Sequence, residues 1–343
     1  MDYNIKNYDY KSIDKSLLAP YYKKICQYII NYIPQCISPN IVTLFGLAIS
    51  MFSTIMVVYY RYIWDHVILC YICFVSLFMY QLIDILDGMQ AGKVGMYYNP
   101  TTELFDHGCD SVTTICITYN VLVLSGAYER EFMLSMIFSL CIMINFYIAT
   151  WQHSNTKIME FRAGLLNPTE MIFTIKCTFL LLSIYPNILY GQEVYLVLFV
   201  VAITLIHFIL AVQETFLVST NSDIVLVSSL LPIFLSIYQL YQYEKYNMEY
   251  GIINIAVPMI LGIIELLWLE ISGEYMNGKT IYLFIYVYVV NMFVPGYMNK
   301  TYLAPLLSVI LVINKFMIYV DTMCNVLDMG NFYDIPRHTN MRE

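Results

Sequence analysis

Polar residues interrupt this chain only at intervals, leaving apolar runs at 41–60, 66–86, 107–127, 132–153, 170–186, 193–213, 223–241, 251–270, 279–296 and 302–324. At about 1.5 Å of rise per residue, runs of this length match the roughly 30 Å hydrocarbon core of a bilayer. The pattern predicts an all-α, polytopic membrane protein with about ten transmembrane helices; 170–186 and 279–296 are the short ones. Ahead of the first run, residues 14–33 set Leu18, Tyr21, Ile25, Ile29 and Tyr32 at steps of three and four, with Lys15, Lys23 and Lys24 largely off that stripe. This spacing predicts an N-terminal amphipathic helix lying in the membrane interface. A helix packed on the protein itself would carry the same stripe.

Composition agrees with burial in lipid. The 343 residues are 59% hydrophobic and 12% charged, with a mean hydropathy of +0.64, outside the range of soluble domains. A net charge of −8 and the lack of a dense basic run argue against nucleic acid as a partner. Eleven Lys and Arg residues (Lys6, Lys11, Lys15, Lys23, Lys24, Lys93, Lys157, Arg162, Lys279, Arg337, Arg342) sort to the side of the N-terminus. Arg61, Arg130, Lys245 and Lys300 sort to the other, and Lys176 and Lys315 fall within runs. The positive-inside rule then puts both termini in the cytosol. The first 40 residues hold five lysines and no early apolar core with a cleavage site, so the first span is expected to act as an uncleaved anchor. Nine cysteines, mostly inside apolar runs, read as small hydrophobes rather than a disulfide framework.

Against this background, the stretch DILDGMQAGKVGMYYNPTTELFDHGCD, from Asp84 to Asp110, stands out. Asp84 and Asp87 are three apart and Asp106 and Asp110 four apart, so on helices each pair projects from one face. The pairs fall at the ends of the second and third runs, on either side of a polar connection over 88–105. Four carboxylates this close repel strongly in a low dielectric unless a cation neutralises them, and an all-oxygen donor set suits Mg2+ or Mn2+. Any one of the four could be a solvated helix end; intramembrane carboxylates as a set are functional. Gly88 and Gly108 would let a substrate approach closely. Lys176, His207, Glu265, Lys315 and Asp321 are scattered over other runs, and pairing between helices is the plainer role for them.

The pattern DxxDGxxAR, eight residues, then GxxxDxxxD is the signature of the CDP-alcohol phosphotransferases, which this segment resembles. The string ELFDHGCDS, Glu103 to Ser111, looks like the choline/ethanolamine phosphotransferase branch. SPNIVTLFGL from Ser38 to Leu47, YDYKSIDKSLLAPYY near the N-terminus, Trp151-Gln152, and Asn167-Pro168-Thr169-Glu170 are similar to that branch as well. The resemblance covers about 10–170; beyond that it rests on hydropathy. It implies transfer of phosphocholine or phosphoethanolamine from CDP-choline or CDP-ethanolamine to diacylglycerol, releasing CMP, with two Mg2+ or Mn2+ ions. By motif match Asp84, Asp87 and Asp106 would ligate metal and Asp110 would bridge or hold the second ion. His107 would be the general base, within reach of carboxylates that tune it, and Glu103 would orient its imidazole. Asn40, Thr43, Gly88 and Gln90 would line the CDP pocket, with helix capping for Asn40 and packing for Thr43 as the plainer alternatives. Trp151, Gln152 and Glu170 would lie toward the acceptor.

Two positions depart from the family pattern. Ala91 is followed by Gly92 and then Lys93, so a one-residue insertion would put Lys93 where the family's Arg binds the diphosphate, without the bidentate fork. Thr102 replaces a motif glycine. These departures keep open a catalytically impaired paralogue that binds nucleotide or lipid as a regulatory partner. A cation-coupled transporter is the other rival, although its site belongs near the bilayer midplane. The organisation expected is a cytosolic segment at 1–40, catalytic helices at 41–213, and further spans with a short cytosolic tail at 214–343, where a homodimer interface could lie. The resemblance implies the endoplasmic reticulum, with the active site facing the cytosol.

Overall fold

A computed structural model describes residues 1–96, 99–161, 167–219, 229–246, 251–274 and 303–335. Among these, twelve α-helices follow in order: α1 (Asp2–Lys6), α2 (Ala19–Ile29), α3 (Pro39–Tyr60), α4 (His66–Val94), α5 (Pro100–Leu124), α6 (Ala127–Arg130), α7 (Phe132–Thr156), α8 (Pro168–Ile184), α9 (Glu193–Val218), α10 (Leu231–Tyr246), α11 (Gly251–Ser272) and α12 (Leu303–Val326). Two three-residue strands, β1 (Ser12–Asp14) and β2 (Met159–Phe161), pair in parallel and tie the N-terminal segment to the end of α7. The chain is an integral membrane protein, in which five of the described helices are long and apolar enough to cross a bilayer: Pro39–Tyr60, His66–Val94, Phe132–Thr156, Glu193–Val218 and Ser308–Val326. The expected run at 279–296 lies outside the described residues, as does part of 223–241.

Helix boundaries follow local chemistry. Asn99 and Asn167 each accept the backbone N–H two residues on, and each is followed by a proline in the first turn, where a missing N–H costs nothing. Asp65 caps α4 in the same way, and Gly95, with φ of 75°, ends it in the left-handed region. Helix α4 thus runs on past the predicted boundary at 86 to Val94, and only 95–99 connect it to α5. The polar residues of 88–94 extend a helix already nucleated in the membrane, so the connection expected over 88–105 is mostly helical.

Helix α5 sits in the middle. It packs against α3, α4 and α8 on one side and α7, α11 and α12 on the other. Its central place explains its polar content, which keeps it out of the apolar group: Thr114 donates to the Asp110 carbonyl at 2.8 Å, Thr118 to the Thr114 carbonyl at 2.7 Å, and Asn120 to Ser53 Oγ at 3.1 Å. Gly46 lets α3 approach α4, since a Cβ there would meet Ile83 Cγ2 at 3.1 Å. Helix α2 turns Tyr22 and Cys26 inward toward α4 and leaves Tyr21, Ile25 and Tyr28 exposed, as is Tyr32 in the turn that follows it. Burial pushes the Cys26 thiol up to about 11, so it stays a neutral small hydrophobe. All nine cysteines are free.

Several polar residues of the apolar runs are paired between elements. Lys176 donates to Tyr22 OH at 2.8 Å and to Gln81 Oε1. Tyr319 OH donates to Glu265 at 2.7 Å while Lys315 stands 3.3 Å from the same carboxylate.

Candidate metal centre

The two helices that carry the acidic motif bring its pairs face to face. Asp84 lies eighteen residues beyond the start of α4, about 27 Å along the axis at 1.5 Å per residue, close to the far edge of a hydrocarbon core. Asp106 is within electrostatic reach of Asp87, Asp110 and Asp84, and Asp87 within reach of Asp84 and Asp110. The four aspartates therefore form one cluster, drawn from α4 and α5. Carboxylate and imidazole atoms of Asp106, His107 and Asp110 lie within 4.8 Å of one another.

Neighbouring hydroxyls fix the carboxylates. Thr43 Oγ1, on α3, donates to Asp87 Oδ2 at 2.6 Å, and both residues are buried, at 5% and 3% exposure. Tyr80 OH, one turn before Asp84 on α4, donates to Asp110 Oδ1 at 2.5 Å. Asp106 Oδ1 is buried with no hydrogen-bond partner. An orphaned carboxylate oxygen among three other carboxylates has the donor chemistry of a hard divalent cation site, and the residues present fit Mg2+ or Mn2+. Gly88 is exposed, and a Cβ there would meet nothing within 4 Å, so there is open space beside the residue that follows Asp87. Gly108 differs: Phe316 of α12 lies 3.0 Å from where its Cβ would be, so this glycine serves packing of the C-terminal helix rather than substrate approach.

The other predicted residues are held close by but differently engaged. Asn40 Nδ2 donates to the Phe332 carbonyl at 2.6 Å, and Gln90 Nε2 donates to the carbonyls of Pro34 and Ile37 at 3.0 and 2.7 Å. Lys93 Nζ donates to the carbonyls of Ile30 and Ile33 at 2.8 and 2.6 Å, holding the turn that follows α2. Gln90 thus commits both amide hydrogens to backbone carbonyls, Lys93 two of its three and Asn40 one of its two. Thr102 Oγ1 is buried without a partner. Glu170 Oε1 accepts from Ser16 Oγ at 2.9 Å and from the Leu17 N–H at 2.6 Å, Gln152 Nε2 donates to Glu214 at 2.8 Å, and Trp151 Nε1 donates to Ser229 Oγ at 2.7 Å.

His107 is buried on α5 beneath Tyr10, whose ring centroid is 6.1 Å from the imidazole. The same Tyr10 ring meets His153 edge-on at 5.4 Å. Glu103, expected to orient His107, lies 3.6 Å from His153 Nδ1. Burial, with the Glu103 charge next, pushes the phenols of Tyr8 and Tyr10 well above their ordinary value, so both remain neutral over this face. His153 and Glu270 are participants that sequence reading missed. His153 sits in the plain string WQHSN, and Glu270 follows an apolar run 117 residues later, so no local spacing marks them.

A helical membrane protein in which two packed helices bring together an acidic cluster with an adjacent histidine has a donor set that could hold a metal ion. The chain is 32% identical over 186 residues to cholinephosphotransferase 1 of Rattus norvegicus, covering 52% of this chain and 44% of that protein. It is 30% identical over 201 residues to cholinephosphotransferase 1 of Saccharomyces cerevisiae, covering 56% and 49%. To CDP-alcohol phosphatidyltransferase class-I family protein 3 of Dictyostelium discoideum, itself uncharacterized, it is 32% identical over 190 residues, covering 54% and 46%. No family model matches the chain. The chain spans about half the length of the curated relatives it matches. The resemblance seen in the motif is borne out: the chain is a relative of the CDP-alcohol phosphotransferases.

Proposed function

We propose that this protein transfers phosphocholine or phosphoethanolamine from its CDP ester to the hydroxyl of diacylglycerol. The observation that carries the reading is the convergence of Asp84, Asp87, Asp106 and Asp110, with open space at Gly88, the residue that follows Asp87. Bound by these four carboxylates, Mg2+ or Mn2+ would neutralise the diphosphate and stabilise the attacking and leaving oxygens. Thr43 and Tyr80 hold Asp87 and Asp110 in fixed orientation for that role. His107 takes the proton of the diacylglycerol hydroxyl as its oxygen attacks the phosphorus that bears the alcohol. The bond from that phosphorus to the bridging oxygen breaks, and CMP leaves.

The acceptor enters laterally from the bilayer, and the water-soluble donor from the cytosol, the side to which the excess of Lys and Arg sorts. Helix α2, with Tyr21, Ile25 and Tyr28 exposed, lies in the interface on that side. The endoplasmic reticulum is the compartment that fits such an enzyme. One observation favours a second reading, a paralogue that binds without turnover: the Lys93 ammonium, aligned with the family's diphosphate-binding Arg, is engaged by two backbone carbonyls.

The test is label transfer. With purified protein, Mg2+ and diacylglycerol, head-group label from CDP-choline or CDP-ethanolamine should pass into extractable phospholipid, and the better donor names the head group. Folded protein that binds CDP-alcohol yet transfers no label from either would support the second reading.

A further inference from the structure

A second cluster lies beside the aspartates. Glu103 of α5, His153 of α7 and Glu270 of α11 bring one ligand atom each within 4.8 Å of one another, from positions 50 and 117 residues apart in the chain. His153 Nδ1 is 3.1 Å from Glu270 Oε2 and 3.6 Å from Glu103 Oε1. The three residues are 8%, 1% and 6% exposed. Both oxygens of Glu103, both ring nitrogens of His153 and Glu270 Oε2 are buried without a hydrogen-bond partner. Buried polar atoms without partners on three side chains, one atom from each gathered within 4.8 Å, carry a large desolvation cost.

Among the described residues the Tyr8 hydroxyl lies beside both carboxylates and the Lys157 charge acts on them, while both ring nitrogens of His153 stay without a partner. Lys157, one turn after His153, directs its ammonium to the Glu270 backbone carbonyl at 3.4 Å rather than to a carboxylate. Tyr8 and Tyr10 cover the cluster from the N-terminal side, where Asn4 fastens α1 to the Ser272 carbonyl at 3.0 Å. With a neutral imidazole and both carboxylates ionised to bind it, the set would offer a divalent cation the two negative charges that cancel its own. One imidazole nitrogen and two carboxylates are a poor set for Mg2+ or Ca2+, which take oxygen, and a good one for Zn2+, which commonly binds three protein ligands with a fourth position open.

We propose that Glu103, His153 and Glu270 bind a transition-metal dication, separate from the aspartate cluster, that ties α5 and α7 to helix α11. Glu103 stands one turn before His107, so such an ion fixes the segment of α5 that carries the histidine. This role does not depend on the transfer reaction, because the site is complete without any of the four aspartates.

The test uses the full chain in detergent, stripped with chelator, loaded with Zn2+, desalted and analysed for metal by mass spectrometry. To silence the aspartates, the parent protein carries Asp87→Asn and Asp106→Asn. The parent should keep one equivalent of Zn2+, and adding His153→Ala or the near-isosteric Glu270→Gln should remove it. A parent that keeps no Zn2+, or Glu270→Gln protein that is monodisperse and keeps as much as the parent, would overturn the proposal. Activity enters neither outcome, so failure here and failure of the phosphotransferase reading are told apart.

Discussion

Replacing Thr43 with Val removes a single hydroxyl and keeps the shape of the side chain. That hydroxyl has one hydrogen and two acceptors in range, Asp87 Oδ2 at 2.6 Å and the Pro39 carbonyl at 3.2 Å. The short contact to a carboxylate takes the hydrogen, and its length is that of a charge-assisted bond. Such a bond between buried partners contributes about 1.5–3 kcal/mol, which at about 1.4 kcal/mol per factor of ten is roughly ten- to 150-fold. Asp87 remains in place but loses the group that orients it, so the loss should fall on metal binding, in line with the roughly 10- to 100-fold typical of outer-shell changes. The assay is CMP release titrated with Mg2+ over several decades. Half-saturation should move up by about that factor, while turnover at saturating Mg2+ returns to within a few-fold of the parent. An unchanged Mg2+ dependence in folded Thr43→Val protein would show that the hydrogen bond does not serve a metal ligand, and the reasoning from Asp87 would fail.

The remaining expectations can be checked with the same protein. Asp87→Ala and Asp106→Ala should each abolish CMP release at every Mg2+ concentration; recovery at high Mg2+ would remove them as ligands. His107→Ala should lower turnover by about 10²–10⁴ with CDP-alcohol affinity little changed, as measured by binding alongside kinetics, and equal loss of both would make the residue structural. Lys93→Met should cost about 1–3 kcal/mol of stability through its two carbonyl bonds, seen as a lower melting temperature, with CDP-alcohol affinity unchanged. Weaker CDP binding at an unaltered melting temperature would instead mean that the ammonium turns to the diphosphate.

The sequence made some of this legible and hid the rest, for physical reasons. Aspartates three and four apart share a helix face, so the cluster could be read from spacing once both stretches were taken as helical. The extent of α4 was less visible, because hydropathy falls at Gly88 while the helical backbone continues until Gly95 stops it. Helix α5 was legible as an apolar run although it is polar for a span: surrounded by other helices, it can carry Thr114, Thr118 and Asn120 because its neighbours and its own carbonyls accept from them. The pairing of β1 with β2 joins Ser12 to Met159 and leaves no periodic trace in three residues. Lys93 could be aligned with the family's Arg, yet the position of its ammonium depends on where the Ile30–Tyr32 turn packs. His153 and Glu270 meet Glu103 only through the packing of three helices.

The most direct test of the central claim is CMP release from purified protein given diacylglycerol and CDP-choline or CDP-ethanolamine, with and without EDTA. The account predicts release that EDTA stops, that Mg2+ or Mn2+ restores, and that Asp106→Ala protein lacks under all conditions. Release that persists in EDTA, or that Asp106→Ala protein retains, would contradict a metal-dependent transfer at the aspartate cluster.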